Sequence, residues 1–68
     1  SSVVAYGNQL VVTSDENSVV EVYSIVGEMV LTMPVAAGDN TINMSGNGFY
    51  LVKVSNVNGS KTFKVLVK

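Results

Sequence analysis

The chain contains no cysteine, no histidine and no tryptophan, and a single proline. Without cysteine there is no disulfide and no thiolate site. Losing histidine as well removes most zinc and haem designs and every Cys/His nucleophile pair. Charge is also scarce, at 13% of residues with a net value of −1. The bases are Lys53, Lys61, Lys64 and Lys68, and the acids are Asp15, Glu16, Glu21, Glu28 and Asp39. This balance offers no electrostatic footprint for nucleic acid or for an anionic membrane surface. No apolar run approaches the ~18 residues of a spanning helix. The opening Ser1-Ser2-Val3-Val4 has neither the basic nor the long apolar region of an export peptide. If the protein leaves the cytoplasm, its export peptide is therefore expected upstream, in a longer protein of which this chain is a fragment.

The chain is 68 residues long and 47% apolar, too apolar for disorder and large enough for one small domain over 1–68. Valine dominates, threonine, isoleucine and tyrosine recur, and the periodicity is two, which favours strands. Turn signals recur at the spacing of a sandwich or barrel. Gly7-Asn8, Ser14–Ser18, Gly27, Gly38-Asp39, Gly46-Asn47-Gly48 and Asn58-Gly59 separate seven short runs. Those runs are Val3–Tyr6, Gln9–Thr13, Val19–Ser24, Glu28–Val35, Asn40–Met44, Phe49–Asn56 and Lys61–Lys68. Asn58-Gly59 is a type I′ signature, both positions taking positive φ, and predicts a hairpin between the last two runs. The expected fold is all-β, a small Ig-like antiparallel β-sandwich of about seven strands.

Alternation assigns the faces. Lysines mark one side of the last run, so Phe63, Val65 and Val67 point inward. By the same logic Tyr50, Val52 and Val54, Val20 and Val22, Leu10 and Val12, and Ile42 and Met44 form the inner faces. The run Glu28–Val35 is apolar on both sides, and Pro34 cannot donate a ladder bond, which places its end at a sheet edge.

Chemistry-bearing constellations are weak. Asp15 and Glu16 are adjacent carboxylates, but neighbouring residues on a strand or loop point apart, so they read as a solvated loop within Ser14–Ser18. Asp39-Asn40 lacks the spacing of a calcium loop. Gly46-Asn47-Gly48 lacks the Lys-Ser/Thr of a phosphate cradle. No catalytic residues, cofactor, metal or small-molecule substrate is expected, and the chain is not read as an enzyme. Tyr23 and Phe49 are the only aromatic residues that support a ligand face, and they carry a second reading: an Ig-like or carbohydrate-binding module of a surface protein.

An ordered set of segments points elsewhere. Val20-Glu21-Val22-Tyr23-Ser24-Ile25-Val26-Gly27-Glu28-Met29-Val30 is an apolar–polar–apolar–Tyr strand, a short apolar turn, then Gly, a polar residue and an apolar run. Gly38–Met44 follows as a polar turn and short strand, then Gly48-Phe49-Tyr50-Leu51-Val52-Lys53-Val54, then Gly59 and Lys61–Lys68. This set resembles the C-terminal sorting domain of the bacterial type IX secretion system, over Asn8 to Lys68. Many members open on a Tyr-Pro-Asn-Pro segment, where this chain reads Ala5-Tyr6-Gly7-Asn8-Gln9. The departure bears on how the first strand pairs.

The resemblance implies a signal domain of a cargo protein from a Bacteroidetes-like bacterium. Cargo would cross the periplasm, meet the type IX translocon, and reach the outer-membrane surface or the medium. A sortase would usually remove the domain and attach the cargo to lipopolysaccharide. Gly27, Gly48 and Tyr50 match family motif positions, and Lys64, Val65, Leu66, Val67 and Lys68 match the signal segment. Lys64–Lys68 is expected at or near an exposed edge, its outward residues Lys64, Leu66 and Lys68 presented to the translocon. An open-edged sandwich of this size can also form a homodimer by pairing edge strands or by swapping the first strand.

Overall fold

The computed structural model describes all 68 residues. Seven strands follow one another: β1 (Ser2–Tyr6), β2 (Gln9–Ser14), β3 (Ser18–Ser24), β4 (Met29–Val35), β5 (Gly38–Asn43), β6 (Gly48–Asn56) and β7 (Gly59–Val67). They form two antiparallel sheets, one ordered β1-β2-β5 and the other β4-β3-β6-β7. Half of the consecutive strands pair, as β1 with β2, β3 with β4 and β6 with β7, while β2 to β3, β4 to β5 and β5 to β6 cross between sheets. This is a seven-strand sandwich of Ig-like type, in which β4 joins the β3-β6-β7 sheet rather than the β1-β2-β5 sheet.

The inner faces follow the alternation. Leu10 and Val12 on β2, Val20 and Val22 on β3, Val52 and Val54 on β6 and Val65 and Val67 on β7 are all buried. Ile42, Met44 and Val35 complete this cluster, with Val3, Ala5, Leu31, Tyr50 and Phe63 packed around it. Tyr50 and Phe63 are half-buried at the rim. The β4 strand is mostly exposed and lies at an edge of its sheet, so Pro34 removes no interior ladder bond. Its register with β3 shifts at Val22/Tyr23. That bulge explains why its apolar residues do not sort cleanly onto two faces.

The first strand pairs with β2 from Ser2↔Thr13 to Tyr6↔Gln9. Gly7-Asn8 forms the connecting two-residue turn, taking the place of a proline-rich opening. The β1 strand also runs beside β7, and the Lys68 N–H donates to the Gly7 carbonyl at 3.1 Å.

Two details differ from the sequence reading. No residue other than glycine has positive φ, so Asn58-Gly59 is not a type I′ pair. The central residues are Val57-Asn58, and Gly59 at φ 124° pairs with Asn56. The Asn56 side chain accepts the Asn58 N–H at 2.8 Å, so an Asx turn does the work expected of the type I′ pair. The run Ser14–Ser18 is not uniformly solvated either. Ser14 and Ser18 are buried, ending β2 and starting β3, while Asp15 is exposed.

The core is largely valine, so it fills the space with short, stiff side chains. Val52 sits at its centre with no exposure. Val52→Ala is expected to cost about 2–3 kcal/mol, a large share of the ~3–5 kcal/mol that a domain of this size reaches. Urea unfolding followed by circular dichroism reads the loss.

Candidate recognition surface

Pairing of β7 with β6 alone leaves it as an edge strand of the four-stranded sheet. Its residues divide by alternation. Val65 and Val67 enter the core, and Lys64, Leu66 and Lys68 are exposed. The five residues of the predicted signal segment are thus two core anchors and three surface groups. Across the ladder, Leu66 stands opposite Phe49 and Lys64 opposite Leu51. Leu66 is 41% exposed and Phe49 51%, an unusual pairing of large apolar groups on an outer face. The Lys64 ammonium lies 4.9 Å from the centre of the Phe49 ring, a cation–π contact that holds this corner of the face.

The same face continues onto β3, where Tyr23 stands opposite Leu51. Tyr23 is half-buried. Partial desolvation, with the neighbouring Glu21 carboxylate acting as a like charge and hydrogen-bond partner, raises its phenol above the ordinary tyrosine range. Tyr23 and Phe49 therefore share one face, but on a flat surface: neither lines either of the two surface depressions. The larger depression, about 700 Å³ and open, lies at the opposite end of the sandwich beside Val19, Pro34, Val35 and Val57.

Gly27, Gly48 and Tyr50, expected from the resemblance to be motif positions, shape the backbone. Gly27 ends the β3–β4 turn at φ 91°, its N–H donating to the Ser24 carbonyl at 2.9 Å. Gly48 begins β6 at φ 127°. The Tyr50 hydroxyl donates to the Gly46 carbonyl, four residues upstream, at 3.1 Å. A tyrosine near the start of the strand after an inter-sheet corner, bonded back to the preceding backbone, is the tyrosine corner of Ig-type sandwiches. It pins the β5–β6 crossing and so fixes where Phe49 emerges. Sequence reasoning took Tyr50 as core and missed this bond; its signal is the Gly-x-Gly-x-Tyr spacing.

The other end of the sandwich is tied by a polar cluster that periodicity could not reveal. The Ser14 and Ser18 hydroxyl oxygens lie 2.8 Å apart and 2.7 and 2.9 Å from the Glu16 carbonyl, so one hydroxyl donates to that carbonyl and the other to it or to its neighbouring hydroxyl. The Asn56 amide donates to Ser18 Oγ at 3.2 Å, and the Asn58 amide to Glu16 Oε2 at 3.0 Å. Glu16 thereby links the β2–β3 loop to the β6–β7 hairpin. Asp39 accepts a 2.8 Å bond from Thr13. No group of three or more acidic side chains converges on a metal-sized site.

The fold thus defines a small Ig-like β-sandwich whose distinguishing surface is an edge strand and its apolar outer face. The family model described as "Secretion system C-terminal sorting domain" matches residues 6–68, nearly the whole chain. The chain belongs to that family, the C-terminal sorting domains of type IX secretion. No curated protein and no solved structure matches it. The family is a class of sorting signals rather than of enzymes, and it implies dealings with the secretion machinery and export to the surface or the medium.

Two substitutions test the backbone roles. Tyr50→Phe should cost about 1 kcal/mol through the lost hydrogen bond. Gly48→Ala should cost about 1–3 kcal/mol, because a side chain at its φ of 127° is strained although the space around it is open. Thermal denaturation of both variants checks the values.

Proposed function

We propose that this domain is carried by a longer cargo protein and that its β7 strand is the element the type IX translocon reads. The observation behind the reading is the split of Lys64–Lys68 into buried anchors and an exposed row. Family membership supplies the sorting role. Physical chemistry supplies the mode: an edge strand offers unpaired N–H and C=O groups, and alternate side chains on it give specificity.

Val65 and Val67 fix the strand to the core, while Lys64, Leu66 and Lys68 face the partner. Phe49 belongs to the same surface through Leu66 and Lys64. The cargo crosses the periplasm ahead of this step. After passage a sortase cleaves the domain from the cargo and joins the cargo to the cell surface. Polypeptide preceding Ser1 leaves from the end that carries Asp15 and Lys61, while Val67 sits beside Gly48 at the other end. Cargo attached there therefore stands clear of the exposed row.

Deleting residues 64–68 would remove two core valines along with the surface row. The cleaner test replaces only the outward residues, with Lys64→Glu, Leu66→Ser and Lys68→Glu combined in a domain fused to a periplasmic reporter. Circular dichroism should show the sheet intact, and reporter export should fall at least about tenfold, equivalent to ~1.4 kcal/mol of recognition. Undiminished export from the folded variant would contradict the proposal.

A further inference from the structure

We infer that two copies of this chain associate face to face through the outer surface of the β4-β3-β6-β7 sheet. That surface is apolar at one end. Phe49, Leu66 and Met29 are about half exposed, and Ile25 at the β3–β4 tip is 58% exposed. The β3–β6 ladder ends at Ser24↔Tyr50, so Ile25 starts beside Phe49. Tyr23 and Leu51 occupy the middle of the face.

The charges on this face are segregated. Glu21 lies on β3, with Lys53 on β6 and Lys64 on β7. The ladder also sets their heights along the strands. Glu21 and Lys53 share one level, and Lys64, Leu51, Tyr23 and Met29 share another.

A symmetric dimer must present a self-complementary patch. Consider a two-fold axis lying in the interface, parallel to the strands and between β3 and β6. It brings β6 over β3 of the second copy and β7 over β4. Lys53 then faces Glu21 of the second copy, twice over by symmetry. Lys64 lies over the start of β4, beside Glu28, and the Phe49–Leu66 corner meets Ile25 and Met29. Apolar meets apolar, and opposite charges meet at both levels. A two-fold axis across the strands would instead set β6 and β7 against themselves, with lysine-bearing strands opposed. Charge complementarity therefore selects the first arrangement.

Edge-to-edge pairing is less favoured. Pro34 and the bulge interrupt β4, and Lys61, Lys64 and Lys68 punctuate β7 and its end. Proline and a bulge blunt the β4 edge, and pairing β7 with β7 of a second copy would set lysine-bearing strands of like charge side by side. Four strands of this length cover roughly 500 Å² per copy, short of the ~800 Å² per partner of stable complexes. The dimer is accordingly weak and concentration-dependent. It rests on the properties of this face and not on the sorting role, and it covers the same Phe49–Leu66 corner, so a copy engaged in the dimer must dissociate before that corner can meet another partner.

Sedimentation velocity of the 68-residue chain up to millimolar protein tests it. The wild type should show a monomer–dimer equilibrium. Lys53→Glu alone and Glu21→Lys alone should each weaken it about tenfold or more by opposing like charges. An equimolar mixture of the two variants should recover the dimer, since each supplies the charge the other lacks. Within one copy Glu21 and Lys53 are also cross-strand neighbours, but mixing cannot repair a loss inside a single copy. Phe49→Ser should reduce association without touching the charges. A wild type that stays monomeric, or a mixture no better than the single variants, would overturn the inference.

Discussion

Two valine-rich faces must meet across the sandwich before anything else in this domain has a place to be. Leu10, Val12, Val20, Val22, Val52, Val54 and Val67 are its most deeply buried side chains, drawn from both sheets. Because side chains alternate along a strand, each inward valine determines which neighbour faces out. Burying Val65 and Val67 commits Lys64, Leu66 and Lys68 to the surface. A slip of one residue in β7 would reverse that assignment and place lysines in the core. The outer row is thus as well defined as the core beneath it. A 68-residue chain with no disulfide has little stability in reserve for any alternative.

The two ends of the sandwich are secured by different means. At one end the Tyr50 hydroxyl holds the backbone at Gly46, and the Lys68 N–H reaches Gly7 across the sheets. At the other, Glu16, Ser14 and Ser18 tie the β2–β3 loop to Asn56 and Asn58. These bonds join segments that a short, largely valine core would leave free. Each sits where a chain crosses between sheets or where loops from both sheets come together, and buried polar groups at such places need partners. They let the apolar outer corner of Phe49 and Leu66 stand in a fixed position although no other part of the same chain covers it.

Much of the fold was legible because its information is local. Period-two alternation identified the inner residues of β2, β3, β6 and β7, and the lone proline marked β4 as an edge. Glycines and polar runs located the turns, but not always their geometry. Asn58-Gly59 looked like a two-residue turn, yet the Asn56 side chain caps Asn58 and moves the turn one residue earlier. Ser14 and Ser18 looked like loop residues because their mutual partners are not visible in a polarity pattern. The candidate surface was half legible. Leu66 and Lys64 followed from alternation, whereas their alignment with Phe49 depends on the β6–β7 register, which that turn sets. Tyr50 was noticed for its place in the pattern, and its bond to Gly46 gives it a structural role that the pattern did not reveal.

The central claim is that the folded sandwich presents the outer row of β7, with Phe49 beside it, to the secretion machinery. Hydrogen–deuterium exchange on a cargo fusion, with and without solubilised type IX translocon, tests it most directly. The account predicts slowed exchange in peptides covering β7 and the start of β6, with the β2–β3 loop and the β6–β7 turn unchanged. Protection confined to those loops at the opposite end, with β7 exchanging as before, would contradict it.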